Sequence, residues 1–67
     1  MIRIVQKPTL ETRGPVDALS VYRECIKLLD ALGMVLQENR LRRLALYAED
    51  VDELFESCEL FVDIKVT

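Results

Sequence analysis

Apolar and polar residues alternate at the end of the chain, where the stretch from Leu60 to Val66 reads LFVDIKV. Leu60, Val62, Ile64 and Val66 point to one side and the residues between them to the other, which predicts a half-buried β-strand. The opening residues MIRIV show the same alternation and predict a short strand over residues 1–5. The next segment, KPTLETRGP, contains two prolines and a glycine and predicts a loop.

Two later stretches have the period of an amphipathic helix. In VDALSVYRECIKLLDALG the apolar side chains cover nearly half of the helix circumference, and Gly33 fits the position that ends a helix. Pro15, after Gly14, suits the first turn of this helix. Asp50 and Glu53 form a capping box, which predicts the start of another short helix.

The stretch between them, MVLQENRLRRLALYA at residues 34–48, fits two structures. Its leucines, arginines and alanines favour a helix over residues 36–48. However, no residue between Gly33 and Leu36 can cap such a helix, and Leu46 would share a face with Asn39 and arginines. A hairpin of strands 34–37 and 41–48, with its turn at Glu38 and Asn39, avoids both problems, and we predict the hairpin.

The hairpin gives a single α+β domain over residues 1–67 with the order βαββαβ, a ferredoxin-like two-layer sandwich. Its four-stranded sheet would have two helices on one face, and the last strand would pair with the first. If residues 36–48 are helical instead, the order becomes βααβ, with the terminal strands paired and four strands meeting across a dimer.

The other face of the predicted sheet would be half apolar and mainly basic, so a partner is expected there. For a chain of this size, burial and ordering free energies nearly cancel, which favours a homodimer formed through the sheet. The alternative is single-stranded RNA, with aromatic side chains stacking on bases. For either role, the candidate residues on this face are Arg3, Val5, Arg43, Tyr47 and Phe61.

Two families resemble this element order. The RRM is one, but RRLALYAE at residues 42–49 lacks the glycine and aromatic pair of its third-strand motif, and the sequence pI is about 4.8. We therefore do not expect nucleic acid as the partner. The order, with LLDALGM and YAEDVDELF, also looks like the small ligand-binding ACT domains. That resemblance implies an effector-binding regulator as a further alternative.

Charge is divided unevenly along the chain. Residues 1–43 carry a net charge of +3 and residues 44–67 a net charge of −6. The acids concentrate on the second predicted helix, where they favour its N-terminus or form a docking surface for a basic protein partner. The candidate docking residues are Asp52, Glu53, Glu56 and Glu59.

Nothing in the sequence predicts an enzyme. The chain has no histidine, no glycine-rich phosphate loop and no metal-ligand spacing, so we expect no catalytic residues, no cofactor and no metal site. Cys25 and Cys58 lie on apolar helix faces and are expected to be buried free thiols, with a disulfide as the minor alternative. No signal peptide or membrane span is visible, and a reducing cytoplasm is expected. The sequence therefore favours a small regulatory, adaptor or inhibitor protein that acts by binding proteins.

Overall fold

In the part of the chain that the structure describes, three helices connect two paired strands. A computed structural model of the chain describes residues 7–14 and 16–67. The elements are β1 (Thr9–Thr12), α1 (Ala18–Ala31), α2 (Val35–Tyr47), α3 (Val51–Phe61) and β2 (Asp63–Val66). The strands pair in parallel, with Thr9 opposite Asp63 and Thr12 opposite Val66.

The predicted ferredoxin-like βαββαβ sandwich is therefore wrong. Residues 35–47 form one helix instead of a hairpin, and the sheet of the described residues has two strands. The alternative order βααβ correctly made this segment a helix and paired the terminal strands. It contains two helices, however, where the structure has three. The strand predicted over residues 1–5 lies outside the described residues.

The helix α1 is confirmed and ends as its sequence predicts. It begins at Ala18, and Pro15, which was predicted for its first turn, lies outside the described residues. Gly33 has a φ of +71°, a conformation that favours glycine. The amide of Met34 donates to the carbonyl of Leu29 at 2.9 Å, and the amide of Gly33 donates to that of Asp30 at 3.0 Å. This is a Schellman motif, and the half-buried Met34 packs against the core to which Leu29 belongs. The motif ends α1 and starts α2 within three residues.

The helix α2 forms although no side chain caps its start at Met34. Leu41 is completely buried, and Gln37, Ala45 and Ala48 are half-buried on the same side. Glu38 is also buried there, and its Oε1 accepts a hydrogen bond from Nη2 of Arg42 at 3.0 Å. Packing of this side against α1 and α3 thus outweighs the missing cap.

The capping box that starts α3 is confirmed. The amide of Glu53 donates to Oδ1 of Asp50 at 2.9 Å. The carboxylate of Glu53 accepts in return from the amide of Glu49 at 2.9 Å, one residue earlier than in a standard box. Two exposed amides at the turn between α2 and α3 are satisfied in this way, which fixes the turn.

Replacing Asp50 with alanine is expected to lower the free energy of unfolding by about 1 kcal/mol, because the amide of Glu53 loses its acceptor. Urea unfolding followed by circular dichroism measures this loss. Asp52→Ala is the matched control, since it removes a carboxylate from the first turn of α3 and leaves that hydrogen bond in place. Its cost should be a few tenths of a kcal/mol, and equal losses in the two variants would contradict the capping role.

The segment predicted as a loop contains β1. The carbonyl of Pro8 accepts from the amide of Asp63 at 2.8 Å, and the amide of Thr67 donates to the carbonyl of Thr12 at 2.9 Å. Leu10 and Ile64 are opposite each other and pack against the helices. The strand predicted from residue 60 begins three residues later, because α3 continues to Phe61.

The core lies where the three helices meet the strand pair. Helix α1 contacts both other helices as well as β1. The buried apolar side chains of the core are Val21, Cys25, Leu29, Leu41, Cys58 and Val62.

Candidate interaction surface

Helix α2 turns its larger apolar side chains to solvent. Leu46 is 84% exposed and Tyr47 76%, while Leu41 is completely buried. Large apolar side chains that are this exposed are candidates for an interaction surface. The exposed apolar residues of α2 are Val35, Leu36, Leu44, Leu46 and Tyr47.

An open groove lies between the C-terminal half of α2 and the outer side of α3. Its volume is about 370 Å³. The side chains that line it combine an apolar floor with carboxylates on the α3 wall, and we call it the α2–α3 groove. Its lining residues are Leu44, Tyr47, Ala48, Glu53, Glu56, Ser57 and Leu60.

The polar groups of the groove are held by local hydrogen bonds. The capping box fixes the carboxylate of Glu53 over the turn. The hydroxyl of Ser57 donates to the carbonyl of Glu53 at 2.9 Å, within the same helix. Ser57 is therefore tied to the backbone of α3. The arrangement is suited to binding.

The electrostatic character of the groove is acidic. The sequence has no basic residue between Leu44 and Ile64, so α3 and both of its borders carry only negative side-chain charges. A cation or a basic segment would be favoured there by charge complementarity.

The four predicted acidic docking residues are only partly brought together. Glu53 and Glu56 line the α2–α3 groove, whereas Asp52 and Glu59 are exposed outside it. Near Glu59 the ammonium of Lys7 donates to its backbone carbonyl at 3.1 Å, which places a positive charge at that end of α3. The acidic surface is thus centred on the first two turns of the helix.

Three of the five residues predicted for a common sheet face lie on helices instead. Arg43 and Tyr47 are exposed on α2, and Phe61 is half-buried at the end of α3, where it packs against the core. Arg3 and Val5 lie outside the described residues. The RNA platform and the ACT-like alternative were derived for a four-stranded sheet, whereas the sheet of the described residues has two strands.

A basic hollow adjoins the groove along α2. It has a volume of about 310 Å³ and is lined by Leu36, Asn39, Arg40 and Arg43. Arg40 lies one helical turn before Leu44, so the hollow and the groove follow each other on one side of the helix. We call this continuous strip, from Leu36 to Tyr47 with the α3 wall beside it, the α2 surface.

The sequence interpretation missed Arg40, Leu44 and Leu60. If this segment is treated as a helix, residues 36, 40, 43, 44 and 47 lie on one face. That spacing is the signal that could have found the α2 surface. In the predicted hairpin Leu44 would face the helices and belong to the core. The strand predicted from residue 60 would place Leu60 there as well. Both are exposed, Leu44 by 38% and Leu60 by 61%.

The two cysteines are free and buried in the core, as predicted. They lie on α1 and α3, and a hydrogen bond to Cys58 together with burial raises the pKa of the Cys25 thiol above its ordinary value. A thiol that holds its proton is a poor nucleophile. The same hydrogen bond lowers the pKa of the Cys58 thiol. Both side chains are completely buried, so the pair is part of the packing between α1 and α3.

The described ranges contain no cluster of three side chains suited to a metal ion. None of the helices in that part of the chain has the length and apolar content needed to cross a bilayer. We compared the whole chain with family models, curated proteins and solved structures, and none of the three comparisons gave a match.

Proposed function

We propose that this protein is a small non-enzymatic module that binds another protein through the α2–α3 groove. The observation that carries the proposal is the groove itself, with exposed Leu44, Tyr47 and Leu60 beside the carboxylates of Glu53 and Glu56. The chemistry that fits it is an amphipathic helix with basic side chains, which would bury the leucines and pair with the acids.

The absence of catalytic groups in the sequence supports a binding role. A module of this kind acts as an adaptor, a regulator or an inhibitor, because it changes only what its partner can contact. The free thiols Cys25 and Cys58 support a reducing cytoplasm as its location.

Titration of the isotope-labelled protein with a designed leucine–lysine amphipathic peptide tests this proposal. The amide signals of Leu44, Ser57 and Leu60 should shift on binding, and a leucine–glutamate peptide of the same length should leave them unchanged. Peptide shifts confined to other parts of the chain, or no binding at ~1 mM peptide, would overturn the proposal.

Two matched variants locate the binding surface. Leu60→Asp adds a charge to the groove and should weaken peptide binding by about tenfold or more. Leu46→Asp makes the same change at an exposed leucine outside the lining of the groove, and should change binding by less than about twofold. Equal effects of the two variants would contradict the assignment of the groove.

A further inference from the structure

We infer that a hollow between α1 and α2 binds a small organic phosphate, a phosphate monoester carried on an aromatic or other apolar body. The site is separate from the α2–α3 groove, so the inference goes beyond the proposed function. The hollow has a volume of about 240 Å³, and we call it the α1–α2 hollow. Its lining residues are Tyr22, Arg23, Ile26, Lys27 and Arg42.

The α1–α2 hollow and the α2–α3 groove lie on opposite sides of α2. Arg42 lines the hollow and Leu44 lines the groove. Two residues along a helix place these side chains about 160° apart around its axis. Arg42 therefore borders α1 and Leu44 borders α3, and a ligand in the hollow leaves the groove open.

Positive charge reaches the hollow from both helices, in a chain whose net charge is −3. Arg23 and Lys27 come from α1 and Arg42 from α2. In the described part of the chain the only ion pair belongs to Arg42, so neither cation of α1 is paired there. The acids of α1, Glu24 and Asp30, are exposed and do not line the hollow. An anion between the three cations would relieve their mutual repulsion, so the hollow favours a negatively charged ligand.

A buried carboxylate holds Arg42 at the hollow. Glu38 is 8% exposed on the inward side of α2, and its Oε1 accepts from Nη2 of Arg42 at 3.0 Å. A guanidinium has several N–H donors, and this bond leaves others for a ligand. A buried ion pair commonly adds little net stability over an apolar pair of the same size. We therefore attribute to Glu38 the role of orienting Arg42.

The donors and the apolar surface of the hollow together select a phosphate monoester. Each of its three terminal oxygens can accept from one of the three cationic side chains, whereas a carboxylate has two oxygens. Ile26 and Tyr22 are half-buried beside the cations and offer an apolar surface. A flat ring attached to the phosphate would cover that surface. The small volume of the hollow favours a small molecule over an extended chain.

Titration of the isotope-labelled full chain with phenyl phosphate, at constant ionic strength, tests the inference. The amide signals of Ile26 and Arg42 should shift and saturate below about 10 mM, while those of Ser57 and Leu60 in the groove stay unchanged. Inorganic phosphate lacks the ring and benzoate has two oxygens, so each should bind about fivefold more weakly or worse. Shifts confined to other residues, no saturation, or equal binding of inorganic phosphate would overturn the inference.

Two variants and a matched control assign the binding to the hollow. Lys27→Gln and Arg23→Gln each remove one cation and should weaken phenyl phosphate binding by about fivefold or more. Both side chains are exposed, so the fold should be kept. Lys65→Gln makes the same change at an exposed lysine of β2, outside the lining, and should change binding by less than about twofold. Equal losses at Lys27 and Lys65 would show that only net charge matters, which contradicts the site.

A tyrosine-phosphorylated peptide separates the two sources of such a phosphate. Binding within about tenfold of phenyl phosphate supports a free small molecule. Binding that is tighter than this overturns the small-molecule assignment in favour of a phosphorylated partner protein. The leucine–lysine peptide tests the groove alone, so failure of either proposal leaves the other standing.

Discussion

Leu41→Ala is expected to unfold most of the protein, whereas Leu46→Ala should change its stability by less than about 0.5 kcal/mol. Leu41 is completely buried where α2 meets the core. Removal of its side chain leaves a cavity, which lowers the free energy of unfolding by about 2–5 kcal/mol. A single domain of this size holds only about 3–5 kcal/mol in total. Leu46, on the same helix, is 84% exposed. Circular dichroism during urea unfolding gives both values.

This pair of variants also separates the two folds that the sequence allowed. In the hairpin, Leu46 faces the helices and Leu41 the open sheet face, so the order of the two losses would be reversed. If the alanine variant at residue 41 does not fold at all, Leu41→Val and Leu46→Val rank the same two positions with smaller changes. A larger loss at Leu46 would contradict the three-helix fold.

Stability is expected to fall at alkaline pH because of Cys25. Its pKa is raised in the folded chain by its hydrogen bond to Cys58 and by burial. The unfolded chain loses this proton above about pH 8.5, while the folded chain keeps it. The contribution of Cys25 is therefore complete below that pH and declines above it, by up to about 1.4 kcal/mol per pH unit. The same hydrogen bond lowers the pKa of Cys58, whose contribution grows as the pH rises to about 8.5 and is constant above it, so the decline appears only above that pH.

Urea unfolding at intervals between about pH 7.5 and 10 measures this slope, and Cys25→Ala is the comparison. The variant should be less stable near neutral pH, because it loses buried volume, but its stability should depend less on pH. Equal slopes in the two proteins would show that the Cys25 thiol is not held in its neutral form.

The parts of the fold that the sequence predicts are those with local signals. Gly33 and the capping box of Asp50 and Glu53 mark helix ends through hydrogen bonds within a few residues, and both are found as expected. The period of α1 is clear because its inward side is apolar, with Val21, Cys25 and Leu29 buried.

The helix α2 escaped prediction because its inward side is small or charged. Glu38, Ala45 and Ala48 occupy positions where leucine would be expected, and of the four leucines in α2 only Leu41 is buried. Only the packed structure shows that Arg42 neutralises Glu38 and that small side chains fit between the helices. A hydrophobic pattern reports the apolar side of a helix, and in α2 most of the large apolar side chains face solvent instead of the core.

The candidate site divides in the same way. Glu53 and Glu56 were identified from charge alone, since an acidic stretch without basic residues is visible in the sequence. The wall that α2 contributes, with Leu44 and Tyr47, required the helix to be assigned first. β1 was missed because its partner lies at the other end of the chain, and parallel pairing leaves no local signal.

The pairing of β1 with β2 also sets an order of events during folding. Thr9 and Asp63 are 54 residues apart in sequence, and closing a flexible loop of that length costs roughly 3.5 kcal/mol in chain entropy. The turns that join α1, α2 and α3 are far shorter, so the helices meet first and their packing then brings the two strands together. The strand pair closes last and opens first, so the amide of Asp63 should exchange its hydrogen with solvent sooner than those of the buried helix residues Leu29 and Leu41.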